Sequence, residues 1–209
     1  SEVTDICERF TADFVMAIDA HDNGQKVPNL INTISGLISR LNPTWKETWD
    51  DLDDDVRNRQ FEIACGVAEI VFENELKQAI SLVDAIPIVQ ASIQEAYEND
   101  LRYCVMDINL PFKREMMNNP AAENILFVVH PSMHNPSEWC VSTIPVALDS
   151  YQTRKNLPYP LRGEDRKVLM ERNWTFVHAT GFIGAAATKE AAIELAKYGI
   201  EYDDEVKMK

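Results

Sequence analysis

Apolar side chains recur at helical spacing throughout the first half of the chain. The repeat of about 3.6 positions predicts amphipathic helices over residues 3–20, 30–41 and 53–97. The first should end near Asn23-Gly24, because asparagine and glycine readily adopt the left-handed conformation that terminates helices. Pro87 should kink or interrupt the third, because proline lacks the backbone N–H that a helix interior needs. The first half is therefore predicted to be all helical.

The pattern changes near residue 100, where short apolar runs rich in β-branched and aromatic residues replace the helical period. These runs predict four strands, over residues 102–107, 124–130, 138–146 and 174–179. Helices are expected between and after them, near residue 112, over 164–171 and over 188–198. The hydroxyl of Thr188 can cap the last of these helices.

The order of these elements predicts an α+β fold. We expect a helical region over residues 1–100, followed by an α/β domain over residues 101–209 with a mixed sheet of about four strands. The apolar fraction of 45% and the charged fraction of 26% are ordinary for a globular protein. No uncharged apolar run approaches the length of a membrane span, so an intracellular protein is expected, with the cytoplasm and an organelle left open.

The charge of the chain is strongly asymmetric. The formal net charge is −14, and residues 1–100 hold 20 acidic and 7 basic side chains. Such a chain repels polyanions at long range, so any contact with nucleic acid needs a local basic surface or a bound cation. One stretch of the second half supplies basic residues, namely Arg154, Lys155, Arg162, Arg166, Lys167 and Arg172.

Two carboxylates near the end of the first predicted helix form a candidate cation site. Asp19 and Asp22 are three positions apart and share a helix face. Carboxylates at a helix C-terminus face the unfavourable end of the helix dipole, which a bound cation would relieve. The alternative is an ordinary solvated helix end that stops at Asn23-Gly24. The four scattered cysteines contain no CxxC pair and are predicted to be reduced, mostly buried thiols.

The segment over residues 174–184 is a candidate anion site. An apolar strand, a glycine-containing turn and a helix N-terminus would together offer free backbone N–H groups to a phosphate. His178, Thr180, Gly181 and Gly184 are its candidate substrate-binding residues. The alternative is a tight strand-to-helix connection with His178 satisfied in the core.

The proline-punctuated segment over residues 150–163 is a third candidate. Arg154 and Arg162 carry planar guanidinium groups that suit phosphate oxygens, and nearby tyrosines could stack on bases. The alternative is a solvated loop. His130 and His134 are interpreted as loop residues, because the prolines around them disfavour a helix-borne metal pair. No nucleophile signature is visible, and no catalytic residue is assigned.

In this order, the segments resemble the Myg (melanocyte-proliferating-gene) family, a branch of the DHH phosphoesterase superfamily of metal-dependent nucleases. The most specific matches are Leu-Asn-Pro-Thr-Trp at residues 41–45 and Phe-Val-His-Ala-Thr-Gly-Phe-Ile-Gly at residues 176–184. Further matches are Phe14-Val15 with Asp19, Asp22, Asn23 and Gly24; Pro111 and Lys113; and the segment from Ser150 to Gly163. Together they span nearly the whole chain.

The resemblance implies a catalytic lobe with two divalent metals, manganese or magnesium, and a DHH-associated domain that grips an RNA or DNA substrate. The activity it implies is 3′-5′ exonucleolytic cleavage of phosphodiester bonds. Asp22 is then the best candidate metal ligand and Asp19 the next, while His178, Thr180, Gly181, Gly184, Arg154 and Arg162 would hold substrate. His21 and Ala185 depart from the family's usual residues.

The family's Asp-His-His motifs are missing from these 209 residues. We therefore expect a C-terminal part of a nuclease that is inactive alone and that needs a second chain or a longer protein to supply the other metal ligands. The alternative is a non-catalytic interaction or structural component within a larger assembly. No membrane partner is expected.

Overall fold

The computed structural model describes residues 2–11, 15–16, 19, 34–44, 47, 54–148 and 150–203. The chain divides into two compact units, Ser1–Asp84 and Ala85–Lys209. The second unit thus begins inside the longest helix, before the boundary near residue 100 that the change of periodicity predicts. Each unit is described by itself below.

The described helices of the first half are α1 (Glu2–Phe10), α2 (Ile34–Ser39) and α3 (Asp54–Glu98). All three fall within the predicted helical segments, whereas the predicted stop at Asn23-Gly24 lies outside the described residues. Helix α3 runs for 45 residues and continues through Pro87, so the proline does not interrupt it. Ala85 and Val89 are buried on either side of Pro87, and this packing offsets the hydrogen bond that proline removes.

Helix α3 is also long and apolar enough, over Asp55–Glu98, to cross a membrane by length and composition alone. This is weak evidence, because a helix that covers a protein core passes the same test. The end of α3 does cover a core, to which it contributes Val89, Ile93 and Ala96.

The second unit contains a mixed sheet of five strands. They are β1 (Tyr103–Val105), β2 (Phe127–Pro131), β3 (Trp139–Thr143), β4 (Trp174–Val177) and β5 (Ile183–Ala186). The order across the sheet is β1-β2-β3-β5-β4, with β1 parallel to β2 and the other pairs antiparallel. The predicted α+β class is confirmed, and the four predicted strands are all present.

The fifth strand, β5, was missed by the sequence analysis. Its residues are Ile-Gly-Ala-Ala, and glycine and alanine have low intrinsic strand propensity. It forms because it lies between β3 and β4 and pairs with both of them. Long-range pairing of this kind leaves no local pattern in the sequence.

Both faces of the sheet are covered by helices. On one face, Phe127, Val129 and Val141 pack against Leu195 and Ala196 of α6 (Lys189–Glu201). The predicted cap is confirmed, since the side chain of Thr188 accepts a hydrogen bond from the backbone of Ala191. On the other face, Val128 and Ile144 form a second core with the end of α3, Phe112, and Met116 of α4 (Lys113–Asn118).

Gly184 lies within β5 and is buried between the sheet and α6. A Cβ atom at this position would lie 2.8 Å from Leu157 Cδ1, 3.0 Å from Leu195 Cδ2 and 3.2 Å from the Phe176 carbonyl oxygen. Glycine is therefore required by close packing. Since β5 also separates the glycine turn from α6, the expected phosphate seat at the N-terminus of that helix is not formed.

This packing predicts that Gly184→Ala lowers the free energy of unfolding by about 1–3 kcal/mol, the usual cost of overpacking. Gly66→Ala is the matched control, because a Cβ there meets nothing within 4 Å. The control should raise stability by about 0.5–1 kcal/mol through its better helix propensity. Urea denaturation followed by circular dichroism measures both changes, and equal effects would contradict the prediction.

Candidate functional site

A cleft of about 640 Å³ lies in the second unit, where three segments that are distant in sequence meet. The segments are the start of α4, the end of β3 with the loop after it, and the turn between β4 and β5. The described lining residues are Phe112, Lys113, Ser142, Thr143, Pro145, Ser150, Tyr151, Thr153, Asn156, His178, Thr180, Phe182 and Ile183. The cleft thus unites His178 and Thr180, which the sequence analysis selected, with residues that it did not select.

The turn between β4 and β5 sets the hydrogen-bonding state of His178. The carbonyl of His178 accepts a hydrogen bond of 2.8 Å from the Gly181 N–H, and Gly181 has a φ of +77°. The backbone N–H of Thr180 donates to His178 Nδ1 at 3.2 Å. Because Nδ1 accepts, the neutral ring carries its proton on Nε2. His178 therefore has an Nε2–H group with which to donate to a ligand.

Gly181 and Arg162 are neighbours, but their contact belongs to the framework of the turn. A Cβ at Gly181 would lie 2.6 Å from Arg162 Nε, and that nitrogen donates to the Leu157 carbonyl oxygen at 2.7 Å. The guanidinium also lies beside the Tyr159 ring, with 5.6 Å between Cζ and the ring centroid. This arrangement holds the loop over residues 157–163 against the turn.

Arg154 has a structural arrangement that differs from the predicted phosphate contact. Its Nη2 donates to the Met116 carbonyl oxygen at 2.8 Å, and its Nη1 donates to that of Ile125 at 2.9 Å. Nη1 also contacts the carbonyl oxygens of Ala122 and Glu123. Burial lowers the pKa of Arg154, and the nearby Glu123 carboxylate opposes this effect. The guanidinium thus joins the loop after β3 to the segment that follows α4.

The basic stretch that the sequence analysis selected is largely engaged in similar contacts. Lys155 donates to the Ile200 carbonyl at the end of α6, and Arg166 pairs with Glu138 at 3.3 Å. Arg172 lies over the rings of Trp174 and Tyr198, 5.1 Å from each centroid. These side chains stabilise the second unit and do not form a continuous surface for phosphate.

Lys113 supplies the positive charge of the cleft. It is exposed at the first position of α4, and none of the described lining residues is Asp or Glu. Locally the cleft is therefore compatible with an anion despite the net charge of −14. Sequence reasoning assigned no role to Lys113, because one lysine between Phe112 and Arg114 forms no recognisable motif. Its match to the Myg family was the one available signal.

Aromatic rings flank the same cleft. Phe182 is 45% exposed, and its ring centroid lies 4.6 Å from that of His178. Phe176, 47% exposed, lies on the other side of His178 at 6.2 Å. Exposed aromatic rings beside a cationic group are a typical surface for stacking nucleobases.

The candidate metal ligands are only partly described. Asp19 is a helical residue of the first unit, and Asp22 lies outside the described residues. Within the described ranges, no group of three or more His, Cys, Asp or Glu side chains could hold a metal ion. The described part of the chain therefore does not fit a complete metal site by itself.

His130 is a buried residue of β2, so its interpretation as a loop residue was wrong. The proline-rich turn begins only after it, and the run of apolar residues before it continues the strand. His130 Nδ1 lies 2.9 Å from the Pro131 carbonyl oxygen, and Nε2 lies 2.9 Å from the Ser142 hydroxyl oxygen. Burial lowers the pKa of His130, partly opposed by the bond to Pro131.

The family model for the MYG1 exonucleases, described as uncharacterised protein family UPF0160, matches residues 1–200. The chain is 32% identical over 209 residues to the MYG1 protein of Saccharomyces cerevisiae, covering 90% of this chain and 61% of that protein. It is 27% identical over 220 residues to the MYG1 exonuclease of Rattus norvegicus, covering 94% and 55%. The MYG1 exonuclease of Homo sapiens is also 27% identical, with coverage of 94% and 56%.

The chain belongs to the MYG1 exonuclease family. The predicted family resemblance is confirmed. The chain spans 55–61% of the length of these three curated relatives. No solved structure matches the chain.

The contacts of Arg154 predict that Arg154→Ala lowers the free energy of unfolding by about 1–3 kcal/mol, since carbonyl oxygens lose their donor. Arg114→Ala, at an exposed position of α4, is the matched control and should change stability by less than about 0.5 kcal/mol. Urea denaturation measures both. Equal stability of the two variants would contradict a structural role for Arg154.

The burial of His130 predicts a loss of stability as the pH falls from about 7 towards 5. The unfolded state, with its higher histidine pKa, then binds a proton that the folded state resists, so unfolding becomes more favourable. Urea denaturation across this range should show a smaller pH dependence for His130→Gln than for the parent protein. His134→Gln, exposed in the loop, should retain the parent's dependence. An unchanged dependence in His130→Gln would contradict the prediction.

Proposed function

We propose, from the chain's membership of this family, that it is the substrate-binding part of a nuclease that hydrolyses phosphodiester bonds of RNA or DNA. The cleft beside Lys113 and His178 carries this proposal. It combines a cation, a histidine Nε2–H donor and exposed aromatic rings in one concave site. A nucleic-acid strand requires the same three properties, because it presents phosphate oxygens and flat bases together.

In this proposal, Lys113 and His178 contact a phosphate group. The ammonium group of Lys113 supplies the charge, and Nε2–H of His178 supplies a directed hydrogen bond. Phe182 supports an adjacent base through its exposed face. Gly181, Gly184, Arg154 and Arg162, which were predicted to contact substrate, instead hold the turn and the loops in place around the cleft.

The hydrolytic chemistry is proposed to need divalent manganese or magnesium, as expected for nucleases of the DHH type. Asp22, with Asp19 next, is the candidate ligand from this chain. The remaining ligands would come from a second polypeptide or from the additional length that the curated relatives have. Without them the 209 residues would bind substrate but would not cleave it.

One observation favours the alternative of an interaction component. In the first unit, α3 exposes large apolar side chains, among them Phe61 at 69%, Ile70 at 63% and Phe72 at 46%. Exposed apolar groups along one helix are typical of a surface that a protein partner covers. Such a partner is compatible with both functions, so nucleic-acid binding by the cleft is the property that separates them.

The test is binding of a fluorescein-labelled single-stranded oligonucleotide, followed by fluorescence anisotropy at several salt concentrations. Lys113→Ala should weaken binding roughly tenfold, equivalent to about 1.4 kcal/mol. It should also reduce the slope of log K against log salt by about 0.7, because one phosphate contact is lost.

Lys167→Ala is the control, since Lys167 is exposed and does not line the cleft. It should retain the parent's affinity and salt dependence. If the parent protein binds no oligonucleotide, or if both variants bind equally, the cleft is not the substrate site and the interaction component becomes the better account.

A further inference from the structure

Ser142 of β3 lines the cleft and lies against the buried His130. Neither residue was selected as a functional residue from the sequence. The pair is formed by strands β2 and β3, in which Val128 stands opposite Ser142 and His130 stands opposite Cys140. Ser142 is partly exposed and His130 is buried, so the serine is the member of the pair that a ligand can reach.

The hydrogen bonds of His130 determine which way the Ser142 hydroxyl donates. A backbone carbonyl can only accept, so the contact between His130 Nδ1 and the Pro131 oxygen places a proton on Nδ1. The ring is buried against Phe112, with 5.9 Å between centroids, and this apolar setting favours its neutral form. Nε2 of the neutral ring is then an acceptor, and the hydroxyl of Ser142 donates to it.

A serine hydroxyl has one proton and two lone pairs. With its proton committed to His130, Ser142 offers only acceptor capacity to the cleft. This is the opposite of what Lys113 and His178 offer, since both of those residues donate. A phosphodiester group has no proton to donate, so Ser142 cannot be a phosphate contact. It fits a ligand group that carries a proton.

Among the parts of a nucleic-acid strand, the ribose 2′-hydroxyl donates whatever the base, and it is the group that distinguishes RNA from DNA. We propose that Ser142, positioned by His130, accepts a hydrogen bond from a ribose 2′-hydroxyl and thereby makes the cleft selective for RNA. The inference rests on the proposed function and specifies its substrate class.

The experiment uses three single-stranded uridine hexamers with the full chain: the ribose form, the 2′-deoxy form and the 2′-O-methyl form. All three share base and phosphate, and only the first has a 2′ proton to donate. The parent protein should bind the ribose form roughly three- to tenfold more tightly than either of the others, the range expected for one hydrogen bond.

Ser142→Ala should abolish this preference by weakening only the binding of the ribose form. Ser142→Thr retains the hydroxyl and should retain the preference. Ser137→Ala, which removes an exposed hydroxyl from the β2–β3 loop, is the control and should behave like the parent.

Three outcomes would overturn the inference. Parent protein that binds all three hexamers equally would exclude a contact with the 2′ proton, and this comparison needs no variant. An unchanged preference in Ser142→Ala would assign the selectivity to another residue. Parent protein that binds none of the hexamers would overturn the proposed function as well, which separates that failure from the first two.

Discussion

The contacts of one guanidinium group, that of Arg154, hold the cleft together. The loop after β3 and the segment after α4 have no strand pairing with each other, yet they form opposite parts of the cleft. Arg154 joins them by donating to the carbonyl oxygens of Met116 and Ile125, while its own N–H bonds to Ile144 at 2.8 Å. Only a side chain with several fixed donors can satisfy carbonyl groups from separate segments at once. The positions of Lys113 and Thr153 both depend on this junction.

A second junction ties the turn between β4 and β5 to the end of β3. The backbone N–H and the hydroxyl of Thr143 both donate to the Phe182 carbonyl oxygen, at 3.0 and 2.9 Å. This keeps Phe182 at the cleft, where its ring contacts that of His178. The residues that would touch a ligand are therefore held by neighbours whose polar groups are already used within the protein.

Much of the fold follows from local patterns in the sequence, whereas most of the site does not. Helical periodicity indicated α3, and apolar runs indicated β1 to β4, because each signal is contained within one segment. Strand β5 carries no such signal, since its Gly-Ala-Ala residues form a strand only through pairing with β3 and β4. The same limit applies to function. Arg154 has the chemistry of a phosphate ligand, and only its distant carbonyl partners show a structural role, while Lys113 gains meaning only from the residues that surround it.

The two histidines at the cleft have opposite tautomers, and in both cases a main-chain group decides which. A carbonyl oxygen holds the proton of His130 on Nδ1, and a backbone N–H leaves His178 with its proton on Nε2. Side chains near either ring can therefore change during evolution without reversing its polarity. The pattern of donors and acceptors that a ligand meets is encoded in the path of the backbone, so it should be inherited with the fold wherever the two histidines are kept.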